Sequence, residues 1–217
     1  MAINKKSFGF DYGRQIICDR RQKNSMTFCN HLERSSLANW CQMHANGDTD
    51  KNGYKHYSRI HLVAQDYSNG TGQNSIYCFY NFEPIEIKNL KNIIDQRWSE
   101  YSRKFFKVTN KQSSEFQQVI ITRNPNLNNP WIIEVSNGVA NVEYFANGAL
   151  KKAVPIKDST RTIKQMFTED NFWNMITTVA DFISLWEQTV LVSHIKMGDE
   201  ITRPIIEFDR NGGNSVG

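Results

Sequence analysis

Residues 168–190 read TEDNFWNMITTVADFISLWEQTV. Phe172, Met175, Ile176, Val179, Phe182, Ile183, Trp186 and Val190 recur at helical spacing and make one broad apolar stripe. Asn174, Thr178, Asp181 and Gln188 fall on the opposite side. Thr168 is placed as an N-cap, with Asn171 at the third helical position. Glu169 and Asp170 in the first turn suit the positive end of the helix dipole. Such a helix has to bury its stripe against something large, and the rest of the chain offers mainly strands. The stripe and its border also hold Phe172, Trp173 and Trp186. That is more aromatic surface than one thin sheet covers, so part of it is expected to meet another subunit of a homo-oligomer.

Four strand-like pieces precede this helix. EFQQVIITR (115–123), WIIEVSNG (131–138), ANVEYFANGA (140–149) and LKKAVPIK (150–157) are separated by turn signals, two of them Asn-Gly. The first half of the chain has the same plan. FGFDYGRQIIC (8–18) reads as a strand, and residues 25–44 are ambiguous between strand and short helix. NGDTDKNG (46–53) reads as a loop. In YKHYSRIHLVAQD (54–66), Ile60, Leu62 and Ala64 alternate with Arg59, His61 and Val63, which makes a strand with one wetter face. IYCFYNF (76–82) is a strand with aromatics on both faces. Over 86–105 the period changes, and Ile87, Leu90, Ile94, Tyr101 and Phe105 fall at helical spacing.

The expected fold is therefore α+β: an antiparallel four-stranded sheet followed by an amphipathic helix, twice. The expected organisation is a basic N-terminal tail (1–7), one domain over 8–195 made of halves 8–105 and 115–195, and a C-terminal tail (196–217).

With 217 residues, 39% of them hydrophobic and 12% aromatic, the chain can bury a proper core. The formal charge is +4. Residues 1–24 account for all of it through Lys5, Lys6, Arg14, Arg20, Arg21 and Lys23 against Asp11 and Asp19. A mild basic lean is compatible with a polyanion partner. MAINKKSFGF has no apolar core of a secretory signal, and no run approaches the roughly 18 apolar residues of a membrane span. Cys18, Cys29, Cys41 and Cys78 are irregularly spaced, which fits reduced thiols, so the expectation is a cytoplasmic protein with no membrane contact. Richness in Asn, Ile and Lys suggests an AT-rich genome, such as that of a bacterium, phage or mobile element.

The order WIIEVSNG, hairpin, AVPIK (153–157), TEDNFWNMITTVADFISLW (168–186) is similar to the end of the Whirly family of single-stranded DNA-binding proteins. It also resembles the fold of the transcriptional coactivator positive cofactor four. FYNFEPIEIKNLKNIID (79–95) looks like the Whirly strand that enters its first helix. The resemblance implies a twice-repeated four-strand-plus-helix protomer. It further implies an oligomer with helices at its core and sheet faces that hold unpaired bases.

A sheet face with interleaved rings and cations can do that independently of sequence, because base–ring stacking is worth about 1–3 kcal/mol per base for any base. Candidates on strand faces and edges are Tyr57, Arg59, His61, Tyr77, Phe79, Arg123, Trp131, Tyr144, Lys151 and Lys152. Stacking ignores the 2′-hydroxyl, so single-stranded DNA and RNA are both admissible partners.

Two rival constellations are present. Cys29, His31, Cys41 and His44 fall within sixteen residues, but CxH with CxxH is not a familiar zinc frame. Buried thiols and surface imidazoles are the plainer reading, and no cofactor is expected. Asp66, Glu86 and Lys88 resemble the two carboxylates and lysine of a Mg²⁺-dependent nuclease. A Glu-x-Lys that opens a helix is more often a pair of solvated charges. A binding protein rather than an enzyme is expected. A nuclease, and a protein-binding inhibitor or adaptor, are the alternatives.

Overall fold

The computed structural model describes residues 14–36, 42–71 and 74–210, with side chains described to residue 200 of the last helix. The elements in order are β1 (Gln15–Arg20), β2 (Asn24–His31), the short β3 (Asn46–Thr49) and β4 (Lys55–Tyr57), β5 (Arg59–Asp66), β6 (Ile76–Phe82) and α1 (Pro84–Asp95). Then come β7 (Tyr101–Asn110), β8 (Glu115–Arg123), β9 (Trp131–Tyr144), β10 (Leu150–Pro155), β11 (Arg161–Phe167) and α2 (Glu169–Arg210). The first sheet has the order β1-β2-β5-β6, and β3 and β4 form a separate hairpin inserted between β2 and β5. The second sheet runs β7-β8-β9. Beyond β9, β10 pairs along Ala140–Tyr144 and β11 along Trp131–Asn137, so the two act as one interrupted strand. All pairings are antiparallel. The expected plan of two four-stranded antiparallel sheets, each followed by a helix, is the observed one.

Both halves share one core. Met26, Phe28, Ile60, Leu62, Tyr80 and Phe82 from the first sheet join Val119, Ile121, Ile133 and Val135 from the second. Ile87 and Leu90 of α1 and Phe172, Ile176, Val179 and Ile183 of α2 complete it. Trp131 stacks on Phe172 at 4.1 Å between ring centres. The helices also pack against each other, and α2 touches β1 and β11. At the start of α2, Thr168 caps as expected, its Oγ1 accepting the Asn171 N–H at 3.3 Å.

Several boundaries differ from the sequence reading. Residues 101–105 are strand, not helix: α1 ends at Asp95, and Arg97 takes a left-handed φ of 53° that turns the chain out of the helix. Tyr101 and Phe105 fit either period, and β7 used period two. Residues 131–138 and 140–149 are one strand up to Tyr144, because Asn137-Gly138 is not a turn. Gly138 is there for close approach: a Cβ would lie 2.6 Å from the Ser159 carbonyl oxygen. Strand β11 went unread among its charges. Residues 46–49 are strand rather than loop, and residues 196–210 are helix rather than tail. The expected tail at 1–7 and strand start at 8–13 lie outside the described residues.

The two sheets meet where β6 crosses the second one. Strand β6 is an edge, so its outward N–H and C=O groups need partners. Lys107, Gln117 and Asn137 stand in register across β7, β8 and β9 and supply them. Asn137 accepts the Phe79 N–H at 2.6 Å and donates to the Phe79 carbonyl at 2.9 Å. Gln117 accepts the Asn81 N–H at 3.1 Å, and Lys107 donates to the Asn81 carbonyl at 2.8 Å.

A second fastening joins α2 to α1 and to the segment before β3. Glu187 accepts from Lys88 at 2.6 Å and pairs with His44 at 3.1 Å. The His44 ring stacks on Trp186 and bonds the buried Ser58 hydroxyl at 2.8 Å. Burial opposes charge on Glu187, but the hydrogen bonds from Lys88 and His44 outweigh it and hold the carboxyl below its ordinary value.

Two outcomes follow. Asn137→Ala strips the Phe79 edge of both partners and should lower stability by about 1–3 kcal/mol in urea unfolding. An unchanged midpoint would mean that water serves the edge equally well. For Glu187 the folded-state pKa is depressed, so its contribution is full above the ordinary value of 4.5 and is lost as pH falls through the folded value. Glu187→Gln should therefore be less stable than the parent at pH 7, with the difference closing below pH 4.5 in a pH series of thermal melts.

Candidate nucleic-acid interface

The register of the first sheet decides which side chains share its wetter face. His61 stands opposite Asn81 on β6 and Cys29 on β2; Val63 faces Phe79, Gln65 faces Tyr77, and His31 faces Arg59. Alternation puts all of these on the side away from Ile60, Leu62 and Ala64. The rings form a row. His61 lies 5.3 Å from His31 and 5.3 Å from Phe79, and is stacked on the latter. Tyr77 accepts from the Gln65 amide at 2.9 Å. The β2 part of this face, Ser25, Thr27 and Cys29, is buried.

Beyond Ser58 the row continues onto β4. Tyr57 is 43% exposed, and the Arg59 guanidinium lies over its ring at 5.1 Å. Arg59 also donates to the Ser58 carbonyl at 2.8 Å and has a loose pairing with Glu83 at 3.7 Å. A hollow of about 300 Å³ opens beside these groups, lined by His31, Lys55, His56, Tyr57, Arg59 and Asn81, with Glu33 as its carboxylate. His56 sits between Glu33 at 2.7 Å and Asp50 at 3.4 Å, and these bonds raise its pKa. Burial does the opposite to His61, lowering its pKa against the Asn81 hydrogen bond. One imidazole is thus biased toward the cation and the other toward the neutral ring.

Five of the ten residues singled out in the sequence, Tyr57, Arg59, His61, Tyr77 and Phe79, meet on this surface. Three others, Tyr144, Lys151 and Lys152, lie on the β9–β10 hairpin. There Lys111 sits over the Tyr144 ring at 5.3 Å and Lys151 pairs with Glu143 at 3.5 Å. Arg123 and Trp131 are corrections. Trp131 is 2% exposed in the core and donates its indole N–H to Glu169 at 2.6 Å. Arg123 donates to the same carboxylate and to the Ser99 carbonyl. Both serve to seat the first turn of α2, which leaves no ring or fork for a nucleotide.

The nuclease set does not converge. Asp66 accepts the Ser68 N–H at one end of the β5–β6 pair. Glu86 caps α1 beyond the other end, about 20 Å of strand away. Lys88 is engaged with Glu187. Cys41 lies outside the described residues, and His44 is held by Ser58 and Glu187. Among the described residues no group of three or more His, Cys, Asp or Glu is placed to hold a metal ion.

Sequence reasoning missed His31, Lys55, His56 and Asn81. The signal for His31 was hidden because 25–44 was ambiguous, and without the β2 period its face could not be assigned. A second aromatic set was hidden by reading 101–105 as helix. Phe106 stacks on Phe116 at 5.3 Å on the outer face of the second sheet, and Lys104 lies over Phe106 at 5.2 Å.

No family model matches the chain, and no curated protein matches it. Among solved structures, the chain is similar to the crystal structure of WHY1 from Arabidopsis thaliana. The identity is 12%, the match covers 82% of this chain and 89% of that one, and the TM-score is 0.44.

Proposed function

We propose that this chain is a single-stranded nucleic-acid-binding protein, acting on DNA largely without regard to sequence, and that it is not an enzyme. The observation that carries this reading is the row of His61, Tyr77 and Phe79 on one sheet surface, continued by Tyr57 on the adjoining β4, with Arg59, Lys55 and His56 beside it. Rings at alternate strand positions offer π-faces to successive bases, and the cations replace counterions along the phosphates. His61, biased neutral by burial, gives a stacking surface without an added charge. Arg59, already over Tyr57, can hold a phosphate while the ring takes the neighbouring base.

The titration that tests this uses fluorescence-labelled oligothymidine at several salt concentrations. The parent should bind with sub-micromolar to micromolar affinity that weakens as salt rises. Tyr57→Ala should weaken binding by an amount equivalent to about 1–3 kcal/mol, the worth of one stacked base. Arg59→Ala should flatten the salt slope by roughly 0.7, the share of one phosphate on a single strand. Parent-like binding by both variants would remove this surface from the interface.

The same protein is read as a homo-oligomer. Leu185, Val192 and Ile195 are 61%, 60% and 42% exposed on α2 and recur at helical spacing on one side, outside the core stripe. Trp173 is likewise half exposed at the start of the helix. Light scattering should give a mass above that of one 25.2 kDa chain, and Leu185→Glu with Val192→Glu should reduce it toward that value. A monomeric parent would dispose of the assembly.

A further inference from the structure

The register row Lys107–Gln117–Asn137 divides the inner face of the second sheet. On one side of it, Val135, Ile133 and Trp131 of β9 run into the core. On the other side β9 continues through Val139, Asn141 and Glu143, beyond the line where β6 crosses. β8 pairs with β9 only as far as Val139, so from Asn141 to Tyr144 the ladder partner is β10 alone. The β9–β10 hairpin is therefore an arm. Its face bearing Asn141, Glu143, Lys152 and Val154 continues, by alternation along β9, the face on which Asn137 meets β6.

The arm's chemistry suits a single strand of nucleic acid. Residues 139–157 carry Lys151, Lys152 and Lys157 against Glu143. Phe145 at the turn is 54% exposed and Val154 is 47% exposed. A two-stranded ribbon with apolar groups in water gains little from its own contacts and gains from a partner laid along it. From Asn137 to Tyr144 is seven residues, or about 23 Å of strand. At the stacked spacing of about 3.4 Å per nucleotide, that corresponds to roughly seven nucleotides.

We propose that the β9–β10 arm is a second contact for the bound strand. A chain leaving the first sheet where Phe79 meets β9 turns onto it, with Lys151 and Lys152 on phosphates and Phe145 on a base. This inference rests on the binding reading above. It adds a length dependence beyond that of the sheet face.

The test compares oligothymidines of four and sixteen nucleotides with the full chain and with the triple variant Phe145→Ala, Lys151→Ala, Lys152→Ala. A charge-reversed Lys152→Glu serves as a single-site check. The short oligomer should bind the parent and both variants alike. The long one should bind the triple variant about tenfold or more weakly, with a salt slope shallower by roughly 1.4, two phosphates' worth. Equal affinity of parent and variants for the long oligomer overturns the arm's role and leaves the sheet face standing. So does an equal loss at both lengths, since that is not a matter of reach. Failure of the parent to bind either length removes the binding reading and the arm together.

Discussion

The structure depends on how the open edge of β6 is closed. Edge strands expose unpaired N–H and C=O groups, and proteins cover, charge or bend them. Here the edge is laid across the face of another sheet. Gln117 and Asn137 provide amides that mimic a strand's own donors and acceptors, and Lys107 adds a cation. Because those residues are in register on neighbouring strands, β6 must run across them, which sets the two sheets at a steep angle. The same row separates the part of β9 that belongs to the core from the part that projects as an arm. The buried apolar groups on one side and the wet groups on the other follow from that line.

Seating of α2 is the other demand on the sequence. A long helix that begins with Glu169 presents a half-exposed carboxylate at the end of the sheet, within reach of side-chain donors there. Arg123 and Trp131 are the nearest ones and are taken up. On a strand face an arginine and a tryptophan look like nucleic-acid ligands. Next to an acidic helix start they are better used as its anchor, where the indole also stacks on Phe172.

On the first sheet the division of labour between imidazoles is electrostatic. His61 is partly buried between the rings of His31 and Phe79, and that burial lowers its pKa. His56, in the open between Glu33 and Asp50, has its pKa raised. One surface thus holds neutral rings in its middle and charges at its rim. In the proposed binding mode, bases stack on the middle and phosphates stay in water at the rim.

Alternation and helical periodicity were enough to read β5, β6, β8 and the buried stripe of α2, because each buries one side against a core and the pattern must show it. Arg59, His61, Tyr77 and Phe79 were legible together for the same reason: odd positions on the paired strands β5 and β6 share a side, whereas Tyr57 comes in from β4, which pairs with β3. What failed was local ambiguity. Tyr101 and Phe105 satisfy both periods, Asn137-Gly138 has the composition of a turn, and residues 25–44 gave no clear period. Those were resolved only by partners distant in sequence: β8 beside β7, Ser159 against Gly138, β5 beside β2. Burial imposes periodicity residue by residue, and that was sufficient for the class of fold and for grouping His61, Tyr77 and Phe79 on one face. Contacts across the fold were needed to assign Arg123 and Trp131 to a helix start, to bring His31 and His56 onto the open surface, and to mark where β9 stops being core, because each of these turns on which groups meet between distant segments.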